Sequence, residues 1–405
     1  MRPVVFVAPF FLETTLRFVD AAASLPGARV GLISQDSEQK LPPGLRSKLA
    51  GHFRVEDGMD PSQIASGVRA MAGHLGGVEK LLGALEELQI PLAEVREVLG
   101  IEGMDVQTAR NFRDKSRMKD VFGAAGVPCA RHRLVADAGE AAGFANQVGF
   151  PIVAKPPAGA GARATFRLDD ADSFQRWLEV QPPTPAAPYL LEEFVVGDEH
   201  SFDSVFLGGR MVWHSISHYL PTPLEVLRNP WIQWAVILPR EIGDEFNDIR
   251  HAAVKGLEAL GMVTGLSHME WFRRKDGSIA ISEVAARPPG AQFTTLMSYA
   301  HDLDFYRAWA ELMIFDRFDP PQRRFSVGAA FLRGQGSGRV TAIHGVDEVA
   351  RTLSPIVVEA KLPKPGQPPT GTYEGEGYVV VRHEDTAVVY EAIRQLVTNI
   401  KVELG

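Results

Sequence analysis

The chain has one cysteine, Cys129, in 405 residues. No intrachain disulfide and no cysteine-based zinc cluster can be built from it. Positive charge is not in excess: 42 Lys and Arg stand against 50 Asp and Glu, for a net charge of −8. Duplex-binding proteins carry a basic footprint, so nucleic acid is not the expected partner, although a local basic pocket for a phosphorylated ligand is still allowed. Nowhere is there the run of roughly 18 apolar residues that a membrane-spanning helix needs. The apolar stretch Pro3 to Leu12 stops at Glu13 and lacks a small-x-small cleavage signal. It reads as a first β-strand over Val4 to Val7 rather than a leader, and a cytoplasmic protein without a membrane partner is expected. A Gly-x-Gly-x-x-Gly fingerprint after that strand and a Walker A loop are also missing.

What is present is enough apolar sequence, 45% of the chain, to build two or three folded domains. Residues 1–105 alternate strand and helix: Val4 to Val7, Glu13 to Ser24, Arg29 to Ser34, then helical spacing over Ile64 to His74 and Val78 to Leu88. That order predicts a parallel sheet with right-handed crossovers. The pattern then predicts one long helix over Val106 to Ala125, closed by Gly126 and Pro128. Short strands and hairpins follow, with Gly208-Gly209 as a two-residue turn. Residues 324–405 alternate short strands with polar turns and end in a helix over Thr386 to Leu396.

Four segments carry candidate chemistry. Glu270 and Glu283 flank Arg273-Arg274-Lys275-Asp276-Gly277, and Asp-Gly is a strong hairpin signal. With Asp276 and Gly277 as the central turn residues, Lys275 pairs with Ser278 and Glu270 faces Glu283. Like charges so placed repel. A divalent cation relieves the repulsion, and hard oxygen ligands suit Mg2+ or Mn2+. Two solvated glutamates on an edge ribbon would read the same way. The second segment is Lys155 followed by small residues including Gly159 and Gly161, where backbone N–H groups can approach phosphate oxygens. The third is Lys115, within a basic helical stretch. The fourth is Tyr189 to Glu199, where apolar residues beside Glu192, Glu193 and Glu199 suit an adenine and a ribose, or mark an ordinary edge strand.

The order of these segments resembles the ATP-grasp superfamily over most of the chain. Asp114-Lys115, and Gly149-Phe150-Pro151-Ile152-Val153-Ala154-Lys155-Pro156, are similar to the family's two nucleotide-binding lysines, the second followed by a mobile glycine-rich loop. Leu191-Glu192-Glu193-Phe194-Val195 resembles its adenine-binding hinge, and Glu199 its ribose partner. Glu270, Glu283 and Arg287 match the metal carboxylates and the arginine that contacts phosphate or substrate carboxylate. The family's Glu-x-Asn is here Glu283-Val284-Ala285, which leaves His268, water or ATP oxygens to complete the metal shell.

The resemblance implies a multidomain α/β and α+β protein. An N-terminal parallel α/β (pre-ATP-grasp) domain would span 1–105. An ATP-grasp domain would span 106–323, with a mobile small lobe over about 130–194, and a C-terminal α+β region, 324–405, would complete the large lobe. Within the superfamily the chain is most similar to bacterial carboxylate–amine (L-amino-acid) ligases. That implies ATP and Mg2+ or Mn2+ as cofactors, small carboxylate and amine substrates such as amino acids, an acyl-phosphate intermediate, release of ADP and phosphate, and room for a homodimer. A carboxylase of the biotin-carboxylase type and a non-catalytic ATP-binding protein are the alternatives. Arg287, His268, His214 and Arg228 are the substrate-pocket candidates, with His218, Tyr219, Trp231 and Trp234 as further aromatic and imidazole groups nearby.

Overall fold

A computed structural model describes residues 1–159, 164–229 and 231–405. Four strands, β1 (Arg2–Val7), β2 (Ala28–Ser34), β3 (Gly51–Arg54) and β4 (Lys80–Leu82), form a parallel sheet in the order β3-β2-β1-β4. β4 lies where helical spacing was expected. Leu81 and Leu82 are both buried, as the two faces of a covered parallel strand require, and so short an apolar run cannot announce its own period. The helix begins later, at Gln89.

The long helix expected over 106–125 is two helices, Val106–Arg113 and Lys115–Ala125. Asp114 breaks them apart. Its backbone is extended and its carboxylate accepts from the N–H groups of Ser116 (2.9 Å) and Arg117 (3.1 Å), capping the second helix. Lys115 therefore stands at a helix start and not in mid-helix. Gly126 ends this helix with φ +64, the left-handed cap anticipated from sequence.

A small antiparallel sheet follows, in the order β5-β8-β6-β7, from β5 (His132–Val135), β6 (Ile152–Lys155), β7 (Phe166–Leu168) and β8 (Tyr189–Glu193). It has its own core, which includes Phe144, Ile152, Trp177 and Leu191. The large sheet is antiparallel throughout and eight strands wide. Its members are β9 (Gly197–Leu207), β10 (Arg210–Leu220), β11 (Trp234–Leu238), β12 (Gly265–Arg274), β13 (Ile279–Ala285) and β14 (Ser326–Leu332), and then β17 (Val357–Lys361) and β18 (Gly377–His383). Between these, β15 (Gly334–Gly336) and β16 (Val340–His344) pair with the C-terminal β19 (Lys401–Leu404). The order in the large sheet is β13-β12-β9-β10-β11-β14-β18-β17. Residues after 324 thus supply three of its strands. Gly208 and Gly209, with φ +59 and +76, make the tight turn between β9 and β10. Among the described residues no helix is long and apolar enough to cross a membrane.

Candidate active site

The hairpin β12–β13 reaches its expected register by an unexpected route. The turn is a three-residue loop, Lys275-Asp276-Gly277: Gly277 N–H donates to Arg274 O (2.9 Å), Arg274 N–H donates to Ser278 O (2.8 Å), and Gly277 has φ +85. Arg273 accordingly faces Ile279 and Trp271 faces Ile281, one residue out of the sequence-based register. A bulge at Ser282 then restores the count, so Glu270 faces Glu283 and His268 faces Ala285. The Lys275–Ser278 pairing is replaced, yet the glutamate pair stands.

On the other edge of β12, β9 sets Asp203 opposite His268, Ser201 opposite Glu270 and Glu199 opposite Phe272. Side chains two apart on a strand share a face. Glu199, Glu270 and Glu283 therefore gather on one side of three adjacent strands, where they line a cavity of about 1060 Å³ between the small sheet and the large one. Burial pushes the Glu270 carboxyl up, and Glu283 adds to the push. Burial raises Glu199 well above the ordinary range, reinforced by Glu270 and Glu283. Glu283 goes the other way. Burial opposes its ionisation, but Lys115 at 3.1 Å and Lys155 at 4.0 Å hold it down to about 2.

The lysines form an alternating ladder with the acids. Lys155, at the end of β6, is 3.0 Å from the buried Glu192, and Lys119 reaches the same oxygen at 3.3 Å. Burial disfavours both ions, yet the pairing lowers Glu192 and raises Lys155. Lys115 also donates to Gly159 O (3.0 Å), as does Arg113 (3.2 Å). At Gly159 the backbone thus presents a carbonyl to cations, where N–H groups for phosphate were expected. Gly161 lies outside the described residues. Glu193 turns to Arg131 (2.6 Å) and Arg274 (2.8 Å), while its neighbour Val195 lines the cavity.

Arg287 donates through Nε to Glu86 (2.5 Å), the first residue of the short 3-10 helix Glu86–Leu88 that follows β4. His268 Nδ1 bonds the wholly buried Asp203 (2.7 Å), and its Nε2 lies 3.2 Å from the Tyr219 hydroxyl. Burial disfavours the imidazolium, but Asp203 more than offsets this and raises the His268 pKa. Arg228 lines the cavity but is paired with Asp169 of the small-sheet lobe at 3.1 Å. His214 is not part of the cavity lining. It stacks on Phe202 at 5.2 Å and accepts from Arg250, and burial lowers it to about 4. Its strand parity puts it on the opposite face of β10 from Tyr219. His218 bonds Tyr390 and Trp231 is 65% exposed, so of the aromatic candidates Tyr219 and Trp234 reach the cavity.

Sequence reasoning missed Lys119, Glu86, Asp203, Tyr373 and Glu374. Lys119 had a local signal, since it follows Lys115 by four positions and shares its helix face. The others come from segments whose approach no local pattern encodes.

No family model matches the chain. An L-arginine-specific L-amino acid ligase of Bacillus subtilis is 21% identical over 281 residues, covering 67% of this chain and 66% of that protein. The chain spans two thirds or less of the length of the first curated relatives it matches. The crystal structure of an L-amino acid ligase from Bacillus licheniformis superposes with a TM-score of 0.78 at 17% identity, over 100% of this chain and 99% of that one. The biotin carboxylase domain of Hydrogenobacter thermophilus 2-oxoglutarate carboxylase, solved with magnesium ADP and bicarbonate, superposes at 0.68 with 15% identity, over 99% and 90%. The chain has the ATP-grasp fold. Within that class it resembles the bacterial L-amino-acid ligases.

Proposed function

We propose that the chain is an ATP-dependent carboxylate–amine ligase. The observation that carries the reading is the convergence of Lys115, Lys155 and Arg287 with Glu199, Glu270 and Glu283 on one large cavity. A carboxylate is a poor electrophile until it is phosphorylated. Its oxygen attacks the γ-phosphorus of ATP, the bond to the β-phosphate oxygen breaks, and ADP leaves. An amine then attacks the acyl carbon, loses a proton, and expels phosphate to leave an amide. Bringing anions together is the main barrier, and preorganised cations lower it. In this reading Lys115 and Lys155 turn from Glu283 and Glu192 to the phosphates, Glu193 to Val195 border the adenine, and Glu199 takes the ribose. Arg287 leaves Glu86 to meet the substrate carboxylate.

The donor set fits a hard divalent cation. Glu270 and Glu283 offer only carboxylate oxygens, and Glu270, raised by burial and then by the charge of Glu283, is a carboxyl whose ionisation a bound cation would favour. Among the described residues no three His, Cys, Asp or Glu side chains converge to hold an ion by themselves, so water and ATP would supply the remaining ligands. When bound, Mg2+ or Mn2+ would neutralise the transferring phosphate. Residues 1–105 contribute Glu86, the lobe around 130–194 contributes Lys155, and residues 324–405 contribute Tyr373 and Glu374. The proposed three-part division therefore meets at the cavity. Its aromatic wall of Tyr219, Trp234, Phe293 and Tyr373 supports an organic acid over bicarbonate. The arginine specificity of the curated relative points towards amino acids.

The test is ADP release screened over amino acids singly and in pairs, with mass detection of the product. Amino-acid-dependent ADP together with a condensed dipeptide supports the ligase. Turnover that requires bicarbonate would replace it with the carboxylase reading.

A further inference from the structure

Lys119 stands apart from the other lysines of the site. It follows Lys115 by about one turn of the helix Lys115–Ala125 and shares its face. Lys115 and Lys155 line the cavity, whereas Lys119 does not, and its side chain is 0% exposed. Lysine is seldom buried so deeply unless it is paired. Among the described residues its ion partner is Glu192, 5% exposed on β8, at 3.3 Å. An ammonium enclosed in this way meets neither solvent nor the cavity, so any effect it has on a ligand passes through Glu192.

Glu192 carries two cations on one oxygen. In the β6–β8 pair Lys155 lies opposite Leu190 and Val153 opposite Glu192, so Lys155 and Glu192 are diagonal neighbours on one face of the small sheet. Lys155 approaches Oε1 at 3.0 Å from the sheet, and Lys119 approaches the same atom at 3.3 Å from the helix. Neither Glu192 Oε1 nor Lys119 Nζ has a partner in hydrogen-bond geometry among the described residues, so charge rather than a directional bond holds the group together. Two ammonium groups at one carboxylate oxygen repel each other, and each weakens the other's hold. With Lys119 in place, Lys155 can leave for a ligand while Glu192 still faces a cation. Without it, Lys155 would leave behind a buried carboxylate with no ion partner, which is the costly arrangement.

We infer that Lys119 is a positioning residue for the nucleotide: it holds Glu192 and thereby frees Lys155 to pass from Glu192 to a phosphate of ATP. Lys119 itself touches neither ATP nor the reacting atoms. A single lysine would satisfy the acid. The second leaves the buried Lys119–Glu192–Lys155 triad with one positive charge in excess, and Lys155, the member that borders the cavity, is the one able to offer it to an anion. The inference rests on the ligase reading only for the assignment of Lys155 to a phosphate.

The experiment is calorimetry of magnesium ATP binding to the full chain in three forms: wild type, Lys119→Met, and Lys119→Met combined with Glu192→Gln. ADP release over pairs of amino acids is measured in parallel. Lys119→Met should bind ATP at least tenfold more weakly, because Lys155 is then the one cation on Glu192 and is retained there. Adding Glu192→Gln removes the charge that retains it and should recover at least fivefold of that loss, which a merely structural role for Lys119 would not produce. Unchanged ATP affinity in folded Lys119→Met overturns the inference, as does a double variant that binds no more tightly than the single one. If Lys119→Met alone does not fold, the double variant, which removes both members of the Lys119–Glu192 pair, is compared with the wild type: a loss below tenfold supports action through Glu192, and a larger loss overturns it. A wild type that binds no ATP removes the nucleotide reading and this inference with it. The expected binding pattern with no ADP formed from any pair keeps the role of Lys119 and removes the ligase.

Discussion

Replacing Glu283 by Gln removes one charge at nearly constant shape, and the expected sign of its effect depends on the lysines. Considered only as one of two facing glutamates, Glu283 would be a burden whose removal stabilises the unliganded protein. The folded structure reverses this, because Lys115 and Lys155 bring the carboxyl from its ordinary 4.5 to about 2. At 1.36 kcal/mol per tenfold change in acidity, that corresponds to about 3 kcal/mol. The side chain is 29% exposed, so solvent screens part of this, and the substitution also relieves Glu270. A net loss of about 1–2 kcal/mol is expected near neutral pH. A carboxyl with a depressed folded pKa contributes stability above its unfolded value and loses it as pH falls through the folded one. The difference between wild type and Glu283→Gln should therefore be full above 4.5 and shrink as pH falls towards 2. Urea unfolding of both proteins, at neutral pH and at about pH 3, reads it directly. A Glu283→Gln protein as stable as wild type at neutral pH would refute the lysine pairing. The same variant should lose most of the extra thermal stabilisation that magnesium and ATP give together, along with nearly all ADP production.

Lys155→Met should weaken ATP binding at least tenfold, since a charge-assisted contact contributes about 1.5–3 kcal/mol; unchanged affinity by calorimetry in a folded variant would remove Lys155 from the nucleotide site. Because Lys119 still pairs with Glu192, the single variant should lose only part of the stability of this cluster, whereas adding Glu192→Leu should destabilise further by leaving the buried Lys119 without a partner, read by urea unfolding. Asp203→Asn should lower the raised pKa of His268, read by NMR of the imidazole against pH. The wild type holds the linked stability in full below 6.5 and loses it as pH rises through the folded value, so the variant should lag most on the acid side. Gly197→Ala should cost about 1–3 kcal/mol by thermal unfolding, because the new methyl would overlap the Arg273 carbonyl across the β9–β12 pair.

Local sequence determined a good deal. Gly126 ends a helix and Gly208-Gly209 turns a hairpin, because each depends only on backbone chemistry within a few residues; the Asp114 cap is equally local, but the helical pattern over 106–125 runs across it unbroken. The resemblance of the order of Lys115, Lys155, Glu270, Glu283 and Arg287 to the ATP-grasp pattern is likewise carried by residue types along the chain, and the fold brings all five to one cavity. The glutamate pair was legible only in part: a three-residue turn and a bulge at Ser282 shift the register in opposite senses, and neither shift is written in the hydrophobic pattern. Charge state lay wholly with the tertiary structure. Whether Glu283 is a repelled or a held carboxylate depends on two lysines more than a hundred residues away, and whether His268 is an isolated imidazole depends on Asp203 across a strand pair. His214 and Tyr219 looked alike as pocket candidates until strand parity put them on opposite faces of β10. Tyr373 and Glu374 had no signal at all, because a clasped loop brings them to the cavity from the far end of the chain. Electrostatic interactions act through space and fall with distance, so the chain can specify which charges exist, but only the fold decides which of them meet.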